Sequence, residues 1–147
     1  MIASVLFEDT RELQCAAPNL VSMRTKHGVA TLSDLVRSSL RLCPDRIPIG
    51  AVRGAEALDL LKARGTSHPG GFGTIRAGTA LGALRRLEQL IQEAGATVPR
   101  PLIAEIGLIA VLVRDGTGRR LAEFARVDGL DASGEYRLHS LSNGESQ

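Results

Sequence analysis

The period of apolar and polar positions changes repeatedly along the chain, and the changes lay out its elements. Residues 2–7, "IASVLF", are an apolar, β-prone run that stops at Glu8-Asp9-Thr10, which predicts a strand with an acidic C-terminal end. A polar connection follows, with turn signals at Pro18-Asn19 and Lys26-His27-Gly28. From Thr31 the period becomes helical. Thr31-Leu32-Ser33-Asp34 has capping-box spacing, with Asp in place of the usual Glu or Gln, and Leu32, Leu35, Val36 and Leu40 recur at helical intervals until Pro44 stops the run. "IPIGAVRG" (47–54) then reads as a short buried strand closing in a tight turn.

A second helix is predicted over "AEALDLLKAR", with Ala57, Leu58 and Leu61 on one face and Gly65 at its C′ position. The glycine-rich "SHPGGFG" leads to a short strand at 73–77. A third helix follows, carrying Leu81, Leu84, Leu87, Leu90 and Ile91 and ending near Gly95. Pro99 opens a fourth, short helix reaching about Glu105, with Pro101 still in its tolerated first turn. Beyond it the period is that of strands: "LIAVLVRD", a turn at Gly116-Thr117-Gly118, "RRLAEFARVDGL", a turn at Asp131-Ala132-Ser133-Gly134, and "EYRLHSL". Alternating strands and helices predict an α/β fold with a mostly parallel sheet and a C-terminal antiparallel strand appendage. The predicted domain covers 1–141, and 142–147, "SNGESQ", is a frayed tail.

Length and composition narrow the class. The chain has 147 residues, 44% hydrophobic and 23% charged, enough for one domain of ordinary size and close to globular averages. The longest apolar run, 108–113, is far shorter than a bilayer span, and no leader pattern opens the chain, so a cytosolic protein is expected. Cys15 and Cys43 lack a CxxC arrangement and are expected as reduced, half-buried thiols. Net charge is +2, but 16 of the 18 basic residues are arginines, the side chain suited to bidentate phosphate contacts and also an ordinary source of surface charge. Phe7, Phe72, Phe124 and Tyr136 are the only aromatics and do not interleave with basic residues, so no nucleic-acid stacking platform is predicted.

Three blocks stand in order: "LFEDTREL" (6–13), "LVRSSLRLCPDRIPIGAVRG" (35–54) and "TSHPGGFGTIRAG" (66–78). Together they resemble the type II/IV secretion ATPase superfamily, most closely its TrbB-type conjugal transfer ATPases, over Leu6 to Asp131. The resemblance implies a partial RecA-like P-loop NTPase core, ATP and Mg²⁺ as cofactors, a homohexamer, and secretion-channel components of the inner membrane as partners. It also implies a cytoplasmic location peripheral to that membrane. The blocks correspond to an Asp box, a Walker B strand and a His box. Members carry an N-terminal domain and a Walker A loop ahead of the Asp box, so the chain looks like the C-terminal part of such a protein.

Against that pattern the chain departs at its chemistry. A Walker A loop needs GxxxxGK and then Ser or Thr; Lys26 precedes His27 and Lys62 precedes Ala63, so the given sequence holds none. The family's Asp box places Glu8 and Asp9 at the site, where a carboxylate ending a strand could orient water or a Mg²⁺-bound oxygen, or stand in solvent. Ala51 occupies the position of the Walker B glutamate that activates water, a role worth about 10²- to 10⁴-fold in rate. Arg76 replaces the His-box histidine; it can meet a phosphate but cannot relay a proton. His68 is read as a turn histidine. Arg37, Arg41, Arg46 and Arg53 surround the Walker B block; Arg37, Arg41 and Arg53 are candidate nucleotide contacts or trans-acting fingers, with surface ion pairing as the alternative. No metal site is predicted from the residues themselves. An ATPase module unable to hydrolyse ATP alone is expected. The alternatives are a non-catalytic subunit-interaction domain and the remnant of a longer ATPase coding sequence. Since the strand entering the phosphate loop is central in RecA-like folds, its absence should leave a gap in the sheet.

Overall fold

The computed structural model describes residues 3–8, 14, 16–65, 71–116 and 118–141. They divide into two compact units, Met1–Ile75 with Glu93–Gly95, and Arg76–Gln92 with Ala96–Gln147. Each has its own sheet: four strands in the first and three in the second, with no ladder joining them among the described residues.

In the first unit β1 (Ala3–Glu8) lies between β2 (Asn19–Arg24) and β3 (Pro48–Ile49), and β4 (Phe72–Gly73) lies outside β3; every pairing is parallel. An apolar run buried on both faces is what an inner parallel strand requires, and Val5, Leu6 and Phe7 are 1%, 3% and 0% exposed. β1 and β2 pair from Ala3↔Asn19 to Glu8↔Arg24. β2 forms within the segment expected as a polar connection. It is an edge strand with one neighbour and mixed exposure, and such a strand need not be a strong apolar run. Pro48 opens β3, a position where its missing N–H is tolerated. β4 is shorter than the strand expected over 73–77; only Phe72 and Gly73 join the ladder.

α1 (Leu32–Ser39) begins with the predicted capping box: Asp34 N–H donates to Thr31 Oγ1 at 3.2 Å and Thr31 N–H donates to Asp34 Oδ2 at 3.0 Å. It continues as a 3-10 turn over Leu40–Leu42 and ends at Cys43, which has φ 47°. The left-handed Cys43 ends the helical run ahead of Pro44, which has no N–H with which to continue it. Cys43 is exposed, which corrects the half-buried expectation; Cys15 lies outside the described residues. α2 (Glu56–Gly65) follows β3.

The second unit contains α3 (Ala80–Glu93), α4 (Arg100–Ile103) and the antiparallel meander β5 (Leu108–Asp115), β6 (Gly118–Leu130) and β7 (Tyr136–Ser140). α4 is one turn, shorter than expected. One face of the meander packs in a small core of Ala80, Val111 and Ala125 with Ile109 and Leu138. Asp131 closes the β6–β7 connection, its Oδ1 accepting from the N–H groups of Ser133 (2.8 Å) and Glu135 (3.0 Å). The Ser133 hydroxyl, which donates to the same oxygen at 2.6 Å, and then these amides hold the Asp131 carboxyl below its usual range. The predicted tail at 142–147 lies outside the described residues.

Candidate functional site

The C-terminal ends of parallel strands are where α/β sheets bind ligands, and in the first unit several of the named residues meet there. Glu8 ends β1 and is 2% exposed. The strand end is held from both sides: Gly50 N–H donates to Phe7 O at 2.9 Å, and Thr25 N–H donates to Glu8 O at 3.2 Å. A Cβ on Gly50 would lie 3.8 Å from Glu8 Cγ, so the turn after β3 runs alongside this carboxylate. Asp9 and His68 lie outside the described residues.

The turn 50–54 is fixed by three anchors. Val52 N–H donates to Thr74 O at 2.8 Å, and the Thr74 hydroxyl donates to Gly50 O. Glu56, the first residue of α2, turns its carboxylate back, so that Oε1 accepts from Arg53 N–H at 2.5 Å and Gly54 N–H at 2.8 Å. A cleft of about 620 Å³ opens beside the turn, lined by Ala51, Arg53, Gly54 and Glu56 on one side and by Thr25 to Leu32 on the other. The second wall is a tight loop: Lys26 and Ala30 form a bridge, and Gly28 takes φ 73°, which suits glycine. Ala51 therefore sits in a cleft at the strand ends and supplies it only a methyl group.

The arginines are distributed rather than gathered. Arg53 lines the cleft and is exposed. Arg37 is committed to Asp59 on α2, with Nε 3.0 Å from Oδ1 and the second nitrogen 3.2 Å from Oδ2; this pairing raises its already high pKa. Arg41 is exposed on the 3-10 turn, and Arg46 is an exposed residue whose carbonyl accepts from Val5 N–H at 3.1 Å. Arg76 opens the second unit and is exposed.

Helix N-termini are natural phosphate sites because their first amides are unsatisfied. Here the chain supplies its own acceptors. Asp34 N–H is taken by Thr31 at α1, and the amides leading into α2 are taken by Glu56. At α3, Ala80 N–H donates to Glu123 Oε2 at 2.7 Å and Gly82 N–H donates to Thr79 Oγ1 at 2.9 Å. Among the described residues no three His, Cys, Asp or Glu side chains gather as a metal site. Among the described residues, the Asp34, Ala80 and Gly82 amides at the starts of α1 and α3 and the Arg53 and Gly54 amides ahead of α2 have acceptors within the chain, and the Ala51 side chain offers no base.

A second polar cluster lies within the second unit. Glu88 on α3 accepts from Tyr136 OH at 2.7 Å and pairs with Arg100 Nε at 2.8 Å, while Glu135 meets Arg85 at 3.3 Å and Arg100 at 3.6 Å. Burial, and then the Glu88 carboxylate, push the Tyr136 phenol well above its usual range. The cluster joins α3, α4 and the start of β7 and leaves its charges paired.

Glu56, Glu88, Thr74 and Glu123 are absent from the sequence-based candidates. Glu56 has a sequence signal, an acid in the first turn after a glycine. Glu88 and Glu123 have none, since their partners are 12 to 48 residues away.

Comparison with known proteins converges on one group. The sequence model of the family described as Type II/IV secretion system protein matches residues 2–125. Conjugal transfer protein TrbB of Rhizobium radiobacter is 49% identical over 126 residues, covering 85% of this chain and 39% of the relative. The probable conjugal transfer protein TrbB of Sinorhizobium fredii is 46% identical over 137 residues, covering 92% and 42%. Among solved structures, the VirB11 ATPase of the Brucella suis type IV secretion system, in complex with sulphate, superposes with a TM-score of 0.74 at 28% identity, covering 85% of this chain and 41% of that one. The chain thus spans about two-fifths of the length of the curated relatives it matches.

Proposed function

Because this chain belongs to the type II/IV secretion system protein family, we propose that it carries the C-terminal part of the ATPase domain of a conjugal transfer motor and does not hydrolyse ATP by itself. The observation that carries the second clause is the lining of the cleft at the strand ends, where Ala51 contributes a methyl side chain in place of a group that activates water.

The sequence supports the same reading. It contains no phosphate-loop lysine motif, and Ala51 cannot activate water. In this reading the cleft beside Ala51 and Arg53 is the inherited Walker B side of a nucleotide site, with Glu8 and Asp9 as its Asp-box acids and Arg76 in place of the His-box histidine. Arg41 and Arg53 remain candidates for contacts across a hexamer interface, whereas Arg37 would first have to leave Asp59. Placement at the inner membrane through secretion-channel components is part of this reading; no helix among the described residues is long and apolar enough to cross a membrane.

Calorimetric titration with MgATP tests the proposal. We expect no saturable binding by the isolated chain, and no phosphate release from Ala51→Glu or from Ala51→Glu combined with Arg76→His, because neither change supplies a phosphate-loop lysine. Micromolar binding by the unaltered chain, or turnover by either variant, would overturn it.

A further inference from the structure

The strand alternation of β5 places Val111 in the core and turns Leu108, Ala110, Leu112 and Arg114 to the other side. On β6 the residues opposite these are Arg126, Phe124, Leu121 and Arg119. This second face is open: Leu108, Leu112 and Leu121 are 57%, 62% and 51% exposed. Scattered exposed leucines are ordinary, but these three share one face, and Leu112 and Leu121 are direct cross-strand partners. An antiparallel sheet with one face in water normally turns polar residues outward.

The charges at this end also look outward for partners. Arg114 and Arg119 stand directly opposite each other, and like charges so placed weaken a ladder. Acids of the same strands are engaged elsewhere. Glu123 caps α3, Asp115 lies 3.5 Å from Arg120, and Asp128 is held at 2.6 Å by Arg126. A second copy would bring arginines to arginines, which disfavours self-pairing of this face. The curated relatives extend well beyond the matched stretch, which covers 39% and 42% of their lengths.

We infer that the Leu108–Leu112–Leu121 face of the β5–β6–β7 sheet is the seat on which the remaining part of the motor protein packs, through an apolar surface bordered by acidic residues that meet Arg114 and Arg119. The inference rests on the reading of this chain as the C-terminal part of such a motor. The leucines supply the buried centre and the arginine pair the orientation, the usual division between the core and rim of an interface.

The test uses a chimera in which the portion of the Rhizobium radiobacter TrbB protein outside the matched stretch is joined to this full chain in the relative's order. Carbene footprinting then compares labelling of Leu108, Leu112 and Leu121 in the chimera and in the chain alone. We expect several-fold protection in the chimera and none in the chain alone at any concentration. The double variant Leu112→Asp with Leu121→Asp should lower the melting temperature of the chimera far more than that of the chain alone, and Arg114→Glu with Arg119→Glu should do so to a smaller degree. The relative's portion is also supplied in trans by co-expression, where co-purification should be lost with the double aspartate variant and kept with Leu42→Asp, an exposed control in the first unit. Equal leucine labelling in chimera and isolated chain, concentration-dependent protection of the isolated chain, or co-purification indifferent to the aspartates would each overturn the inference. None of these readouts involves nucleotide, so MgATP binding by the isolated chain would sink the proposed function and leave this result standing.

Discussion

The two units secure their polar groups in opposite ways. In the parallel unit the important bonds run from side chain to nearby backbone: Glu56 to the amides two and three residues before it, and Thr31 and Asp34 to each other's amides. In the antiparallel unit side chains distant in sequence meet one another, as Tyr136 and Arg100 do at Glu88. The first arrangement fixes a turn and leaves a cleft beside it; the second fastens elements together. The shape of the turn in the first unit rests on amides and carbonyls that a change of the Ala51 side chain does not touch.

Core and turn substitutions should break the parallel unit first. Phe7→Ala empties a fully buried position on the inner strand and should cost about 3–5 kcal/mol in urea unfolding. Glu56→Ala leaves the Arg53 and Gly54 amides without their acceptor at a position 9% exposed, and should cost about 2 kcal/mol. If Glu56→Ala were neutral in stability, the turn would be held by β3 and Thr74 alone. Thr31→Ala removes one half of the capping box and should cost about 1 kcal/mol, read as a loss of α1 helicity and a lower urea midpoint.

Titration sharpens the contrast with smaller effects. Asp34 and Asp131 have carboxyls held low, by Thr31 and Ser133 respectively. Their contribution is therefore present above the unfolded carboxylate range, about pH 4, and is lost as pH falls below it. Thermal melts in acid should show this loss, and Asp131→Asn should reduce it. Tyr136 is shifted the other way: its stabilising contribution is present below the ordinary phenol range, about pH 10, and is lost as pH rises above it. It is the sole tyrosine in a chain without tryptophan, so phenolate absorbance reports it alone. Glu88→Gln should bring that titration back toward the ordinary range; an unchanged titration would show that burial acts without the carboxylate.

Much of the architecture was legible because it depends on local pattern. The apolar run of β1, the capping box at Thr31 and the helical stripe of α3 each declare themselves within a few residues. β2 did not, because an edge strand buries little and "NLVSMR" alternates poorly. The described strands form two separate sheets, a parallel one of four strands and an antiparallel one of three. At the site, family motifs pointed to Glu8, Ala51 and Arg53, which the fold places around the ends of β1 and β3. Motifs could not reveal that Arg37 is tied to Asp59 or that Glu123 reaches α3, since those facts depend on tertiary neighbours.

The strand order carries a further consequence for how the chain folds. β1 precedes its described neighbours in the chain yet sits inside the sheet, and its pairing through Phe7↔Ile49 must wait until β2, α1 and the 3-10 turn have been made. The β5–β6–β7 meander joins only neighbours in sequence. Loop closure slows non-local pairing, so β1 is among the later strands of its sheet to be enclosed. During that interval its apolar run depends on being kept from other chains.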